Sequence, residues 1–125
     1  MLLLWMCCVN LKRWMMIKQY DIWLANLNPG RGTEVGKVRP VVIVQSDLLN
    51  NLHGSTLVCP ITSQVNPELK ILRVHIGKRY LEKESDVLVD QLRAIDNRRL
   101  VQRLGKLQRS QIDSLRENLR IVLDN

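Results

Sequence analysis

The stretch GKVRPVVIVQSD, residues 36 to 47, sets Lys37 and Arg39 two positions apart, follows them with Pro40 and runs straight into Val41-Val42-Ile43-Val44. An arginine's planar fork suits bidentate binding of an anion such as phosphate. Four β-branched residues in a row ask to be a buried strand. The cations at its mouth are therefore either a solvated strand end or charges held at a rigid rim, where proline fixes φ at about −65°. Other polar residues of chemical interest stand at the ends of strand-like runs: Glu34, Thr62, Ser63, Gln64, Asp90, Gln91 and Arg93. No nucleophile triad, phosphate-cradling glycine loop or metal-ligand spacing is visible. The two histidines, His53 and His75, have no Cys or His at ligand spacing in the sequence, so a zinc or iron site is not expected.

The elements that must position these residues are mostly short strands. YDIWLANLN, from Tyr20, leads into a turn cluster, Asn28-Pro29-Gly30-Arg31-Gly32, and the loop runs on to Gly36. Val41 to Gln45 is the next strand. Ser46 or Asp47 then caps a one- to two-turn helix over LLNNL. Residues 55 to 63 form another strand, in which Pro60 implies an edge or a bulge because it has no N–H to donate. In 71 to 76, Arg73 and His75 alternate with Leu72, Val74 and Ile76, a half-buried strand with a cationic face in water. A fifth strand is expected over 85 to 96 and a sixth over 103 to 107. Ile112, Leu115, Leu119 and Val122 then recur at helical spacing, which predicts an amphipathic helix from Gln111 to Leu123 with Ser110 and Asp113 as a capping box.

At 125 residues and 46% hydrophobic content this is one domain with a real core, built from Val, Ile and Leu because aromatics make up only 4%. A net charge of +7 favours a polyanionic partner. Seven Lys or Arg lie between Arg98 and Arg120 against Asp113 and Glu117, a run that reads equally well as a solvated helix and turn. Three cysteines, Cys7, Cys8 and Cys59, are a poor disulfide framework and fit a reducing compartment, with Cys59 packed in the core. The apolar run Met1 to Val9 is nine residues, too short to span a bilayer, which takes about 20. It lacks the charge order and small-residue cleavage site of a secretory signal. Residues 1 to 16 are therefore read as an extension outside the fold, with the domain over 17 to 125. A short amphipathic surface helix is the alternative.

Together, YDIWLANLNPGRGTEVGKVRPVVIVQSD, LVCPITSQ, VLVDQLRAID and the final helix resemble the MazF/PemK toxins of bacterial toxin–antitoxin pairs, over roughly residues 18 to 123. The resemblance implies a mainly β fold: an SH3-like antiparallel barrel with a short helix after the second strand and a C-terminal helix. It implies a cytoplasmic homodimer without metal or cofactor that cuts single-stranded RNA, usually mRNA, at short motifs. The ribose 2′-OH would attack the adjacent phosphate and leave 2′,3′-cyclic phosphate and 5′-OH ends. Arg39 matches the family's motif arginine and Thr62 its catalytic threonine or serine. Glu34 and Asp90 match acidic positions that accept the 2′-OH proton or hold Arg39. Lys37, Ser63, Gln64, Gln91 and Arg93 would contact RNA, and His75 is either a strand-face residue or part of the RNA path. A cognate antitoxin would lay an extended acidic segment across the site, and operator DNA would be bound only through it. No membrane partner is implied. Some members carry a further Arg or His near the acidic position of the fifth strand; here Leu88 and Val89 precede Asp90, which leaves Arg39 with Thr62 as the working pair. The rival readings are a toxin of the same barrel that poisons DNA gyrase without cleavage, and a plain nucleic-acid-binding barrel.

Overall fold

The computed structural model of the chain describes residues 17–28 and 37–124. The expected extension, residues 1–16, and the acidic candidate Glu34 lie outside the described residues. Seven strands, β1 (Asp21–Asn26), β2 (Val38–Ile43), β3 (Ser55–Thr62), β4 (Arg73–Ile76), β5 (Ser85–Leu88), β6 (Arg93–Asp96) and β7 (Leu100–Lys106), precede one helix, α1 (Arg109–Leu123). Every pairing is antiparallel, in the order β4-β5-β3-β2-β1-β7, with β6 also on β3. The result is a strongly bent, partly open barrel.

The unbroken apolar run of β2 has a direct cause: the central strands are buried on both faces. Val41 and Ile43 join Ile17, Trp23, Ala25, Leu27, Val58, Ile95 and Leu100 in one core. Val42, between them, points the other way, into a second core with Ile22, Cys59, Ile61, Val74, Ile76, Val87, Val89, Leu107 and Leu115. Strands buried on both sides show no polar alternation. Each fully buried Val, Leu or Ile contributes about 1.5–3 kcal/mol. The helix closes the second core with Leu115, flanked by Ile112 and Leu119, whereas Val122, expected on the same stripe, is exposed.

Strand β3 is the hub. It pairs with β2 along Val58–Pro60, with β6 along Ser55–Val58 and with β5 along Ile61–Thr62. Pro60 is therefore at neither an edge nor a bulge of the sheet: it is buried where β3 exchanges β6 for β5, so its missing donor falls in the change of partner. The same exchange divides the expected strand 85–96 into β5 and β6, joined by a 3-10 turn, Val89–Gln91.

The expected helix over LLNNL is instead a series of turns. Asn50 donates to the Gln45 carbonyl at 3.0 Å and to Asp47 Oδ1 at 3.0 Å, Gln45 Nε2 donates to Asn50 Oδ1 at 2.9 Å, and Asn51 sits at φ 68. Such side-chain bonds to local backbone compete with a helix. The helix α1 begins two residues earlier than expected. Its capping box is Gln108 with Gln111, not Ser110 with Asp113, and Asp113 faces Arg109 at 3.4 Å.

Two predictions follow from the interior. Asn97 is fully buried, accepts the Thr56 hydroxyl proton and donates to the His53 carbonyl at 2.9 Å. Asn97→Ala orphans both groups and should lower unfolding free energy by about 2–3 kcal/mol in a urea titration. Burial, and secondarily the charge of Asp90, pushes the Cys59 thiol up to about 12. At neutral pH it should resist alkylation in the folded protein and react once unfolded, as read by peptide mapping.

Candidate functional site

The register between β2 and β3 builds the site. Val41 faces Pro60, Val42 faces Cys59 and Ile43 faces Val58. Carried two residues further, the same register sets Arg39 opposite Thr62. Residues directly opposite project from the same face, so both side chains stand on the face of Val41 and Ile43, at the rim of the first core. On the other side Arg39 is paired with Ala25 of β1, and Pro40 with Leu24. Arg39 is half-buried, and desolvation lowers its pKa from the usual arginine value; a guanidinium starts so high that it keeps its charge at neutral pH. Of the two readings of the cations at the mouth of β2, Arg39 follows the rigid-rim one.

Thr62 closes β3. Its Oγ1 accepts the Gln64 N–H at 3.1 Å, so what the hydroxyl offers a ligand is its own proton. Ser63 and Gln64 follow in the open. Arg93 pairs with Val58 and so projects from the same face as Arg39 and Thr62. It lies about 13 Å from Thr62 along β3, at roughly 3.3 Å per residue. Asp90 and Gln91 belong to the 3-10 turn before β6, Asp90 exposed and Gln91 half-buried. Asp90 is close enough for its charge to act on Cys59.

Lys37, just before β2, is exposed at φ 71. Its N–H donates to Asn28 Oδ1 at 2.5 Å and its carbonyl accepts the Leu27 N–H at 2.8 Å. Arg99 donates to the carbonyls of Asn26, at 3.0 Å, and Asn28. Other members of the cationic run are also tied locally: Arg98 to Asp96 at 2.8 Å, Arg103 to buried Asp21 at 3.2 Å, Arg120 to Glu117 at 2.8 Å.

One cluster escaped the sequence reading. Asp86 of β5 is buried and is the cross-strand partner of Thr62. Its Oδ2 accepts the Asn66 N–H at 2.9 Å and Arg73 at 3.2 Å, and its Oδ1 meets His75 Nδ1 at 3.0 Å. Arg73 also donates to the Gln64 carbonyl at 2.7 Å, and His75 Nε2 reaches Glu84 at 2.9 Å. Burial pushes the Asp86 carboxyl up, but the Asn66 N–H, His75 and Arg73 outweigh it and hold it below the usual aspartate value. His75 is raised, first by its bond to Asp86 and against a smaller opposing effect of burial, with Glu84 adding to the rise. The signal in the sequence was an aspartate leading into Val87 and Leu88 in a short strand, SDVL, opposite a strand with alternating cations.

Among the described residues no three His, Cys, Asp or Glu side chains gather where they could hold a metal ion, and no helix is long and apolar enough to cross a membrane. A half-buried guanidinium that the register sets opposite a hydroxyl offers two groups of the kind that bind and polarise a phosphate.

Comparison with known proteins agrees. Residues 18–123 match the family of the PemK-like, MazF-like toxin of type II toxin–antitoxin systems. The chain is 36% identical over 111 residues to endoribonuclease EndoA of Bacillus subtilis (strain 168), covering 87% of this chain and 96% of that one. Its fold is similar to that of the Mycobacterium tuberculosis toxin MazF-mt6, with a TM-score of 0.69, 26% identity and coverage of 82% and 94% of the two chains. It is also similar to MazF of Deinococcus radiodurans, with a TM-score of 0.75, 23% identity and coverage of 86% and 96%; a MazE-MazF crystal structure from that organism shares the fold. With residues 18–123 matched by the family and a relative 36% identical over 111 residues, this protein belongs to the PemK-like, MazF-like toxin family of type II toxin–antitoxin systems.

Proposed function

We propose that this toxin is an endoribonuclease that cuts single-stranded RNA, mRNA included, at short motifs and without a metal ion. The observation that carries the reading is the β2–β3 register, Val41 on Pro60, which when continued by two residues sets Arg39 opposite Thr62. In the reaction the ribose 2′-oxygen forms a bond to the neighbouring phosphorus while the bond to the 5′-oxygen breaks. The products are a 2′,3′-cyclic phosphate and a 5′-OH. The 2′-OH must lose a proton, the 5′-oxygen must gain one, and the phosphate oxygens carry extra charge between. Arg39 takes that charge through its fork; a guanidinium is too weak an acid to serve readily as the proton donor. Thr62 donates its hydroxyl proton to a phosphate oxygen and orients it. Glu34 or Asp90 receives the 2′-OH proton or holds Arg39, and the leaving 5′-oxygen takes its proton from solvent water.

Lys37 supplies attraction to the RNA backbone. Ser63, Gln64, Gln91 and Arg93 line the path on either side and supply base and phosphate contacts. The same cationic rim is the surface on which an antitoxin with an extended acidic segment would compete with RNA, and operator DNA would be reached only through that antitoxin. A homodimer in the cytoplasm is the expected working state; relatives crystallised with their antitoxins support the pairing. Poisoning of gyrase, or binding without cleavage, would leave Arg39 and Thr62 without a task.

The test is a long mixed-sequence RNA incubated with protein in EDTA, with the ends mapped. Wild type should give discrete cuts with cyclic-phosphate and 5′-OH ends. Arg39→Ala should slow cleavage about 10²- to 10³-fold, the usual loss for one oxyanion-type donor. Lys37→Ala should mainly weaken binding and flatten its salt dependence. Intact RNA with folded wild-type protein would overturn the reading.

A further inference from the structure

We infer that Asp86, with Arg73 and His75, is a positioning residue of the ribonuclease site: it locks the segment that follows Thr62 and so fixes the Thr62 hydroxyl and Gln64 against the substrate. The inference rests on the ribonuclease reading above and goes beyond it.

A buried carboxylate is costly unless well partnered, and replacing a whole buried ion pair with apolar residues of similar size is often neutral or stabilising. The rest of β5, Ser85, Val87 and Leu88, is buried, so apolar residues at 86 and at its partner position 73 would serve the fold at least as well. The partners of Asp86 show what it does instead. Residues 63–72 are exposed throughout, with little apolar anchorage. Asp86 holds that stretch at Asn66 directly, at 2.9 Å, and at Gln64 through Arg73, which bonds both Asp86 and the Gln64 carbonyl. The Gln64 N–H then returns to Thr62 Oγ1 at 3.1 Å. The circuit is closed through one residue: Thr62 faces Asp86 across the ladder, its hydroxyl accepts the Gln64 N–H, and the Gln64 carbonyl, on the next peptide, is held by Arg73 and through it by Asp86.

His75 makes the lock depend on protonation. Its two ring nitrogens face two carboxylates, Asp86 on β5 and Glu84 in the stretch before β5. Arg73, two residues earlier on β4, shares Asp86, while α1 presents the neutral amide of Asn118 to the Lys70 and Arg73 carbonyls. Both nitrogens donate only in the imidazolium form; the neutral ring must give up one bond. Because its folded pKa is raised, the doubly bonded state is complete on the acid side of ordinary histidine titration and is lost as pH rises through the folded value.

The experiment uses the full chain and one RNA oligonucleotide carrying a cut site mapped with wild type. Asp86→Asn and His75→Gln are compared for melting, KM and kcat across the histidine titration range. Asp86→Asn should melt cooperatively, keep KM close to wild type and lose about 10- to 100-fold in kcat, as misplacement of a catalytic group does. Its Gln64 and Asn66 amides should exchange faster with solvent. His75→Gln, an exposed position, should be slower than wild type at the acid end, and the two rates should converge at the alkaline end. If wild type cuts RNA and Asp86→Asn has unchanged kcat, the inference is overturned while the ribonuclease stands. If Asp86→Asn does not fold, His75→Gln decides: a rate ratio that converges with pH supports the lock, and one that is flat with pH overturns it. If folded wild type leaves RNA intact, it is the ribonuclease reading that fails, and with it any positioning role.

Discussion

The antiparallel register of β2 on β3 is the constraint on which the rest depends. It is held by residues buried on two opposite faces, Val41, Ile43 and Val58 toward one core, Val42 and Cys59 toward the other. A slip of one residue would exchange the two sets and turn Arg39 to the wrong side, so burial on both faces makes the slip doubly expensive. The polar pair at the end of this ladder thus inherits its precision from an apolar source. Arg39 and Thr62 need no contact with each other to be placed; the ladder behind them does it.

Around that pair, charge is distributed by task. Three cations of the C-terminal half are engaged by neighbours: Arg98 by Asp96, Arg103 by Asp21, and Arg99 by the carbonyls of Asn26 and Asn28. Exposed pairs of this kind contribute little to stability, but Arg99 and Lys37 both act on the base of the segment that enters β2. The buried ionic cluster is different. Asp86 gathers Arg73, His75 and the Asn66 N–H on the far side of Thr62. The site is thereby gripped from two directions, by the β2 core on the Arg39 side and by an ion-pair circuit on the Thr62 side.

Much of this was legible in the residues because it is local. The run Val41 to Val44, the alternation in ILRVHI and the helical spacing of Ile112, Leu115 and Leu119 each follow from one element's own periodicity. The pair Arg39 and Thr62 came from recognisable motifs, and the structure adds why those motifs meet. What was not legible depended on pairing between distant segments. The partner exchange at Pro60 splits one expected strand into two and buries a proline expected to mark an edge or a bulge. The side-chain bonds of Asn50 turned an expected helix into turns. Asp86 looked like a polar residue in a short strand until β4 and the loop after Thr62 were brought beside it.

The central claim is that Arg39 and Thr62 act on one phosphate. A double-mutant cycle on the rate of RNA cleavage, with Arg39→Ala, Thr62→Val and the pair, tests it most directly. Groups that work as a unit lose their benefit together, so the account predicts a double variant hardly slower than the slower single one. Losses that multiply in full would mean that the two residues act independently, and would contradict it.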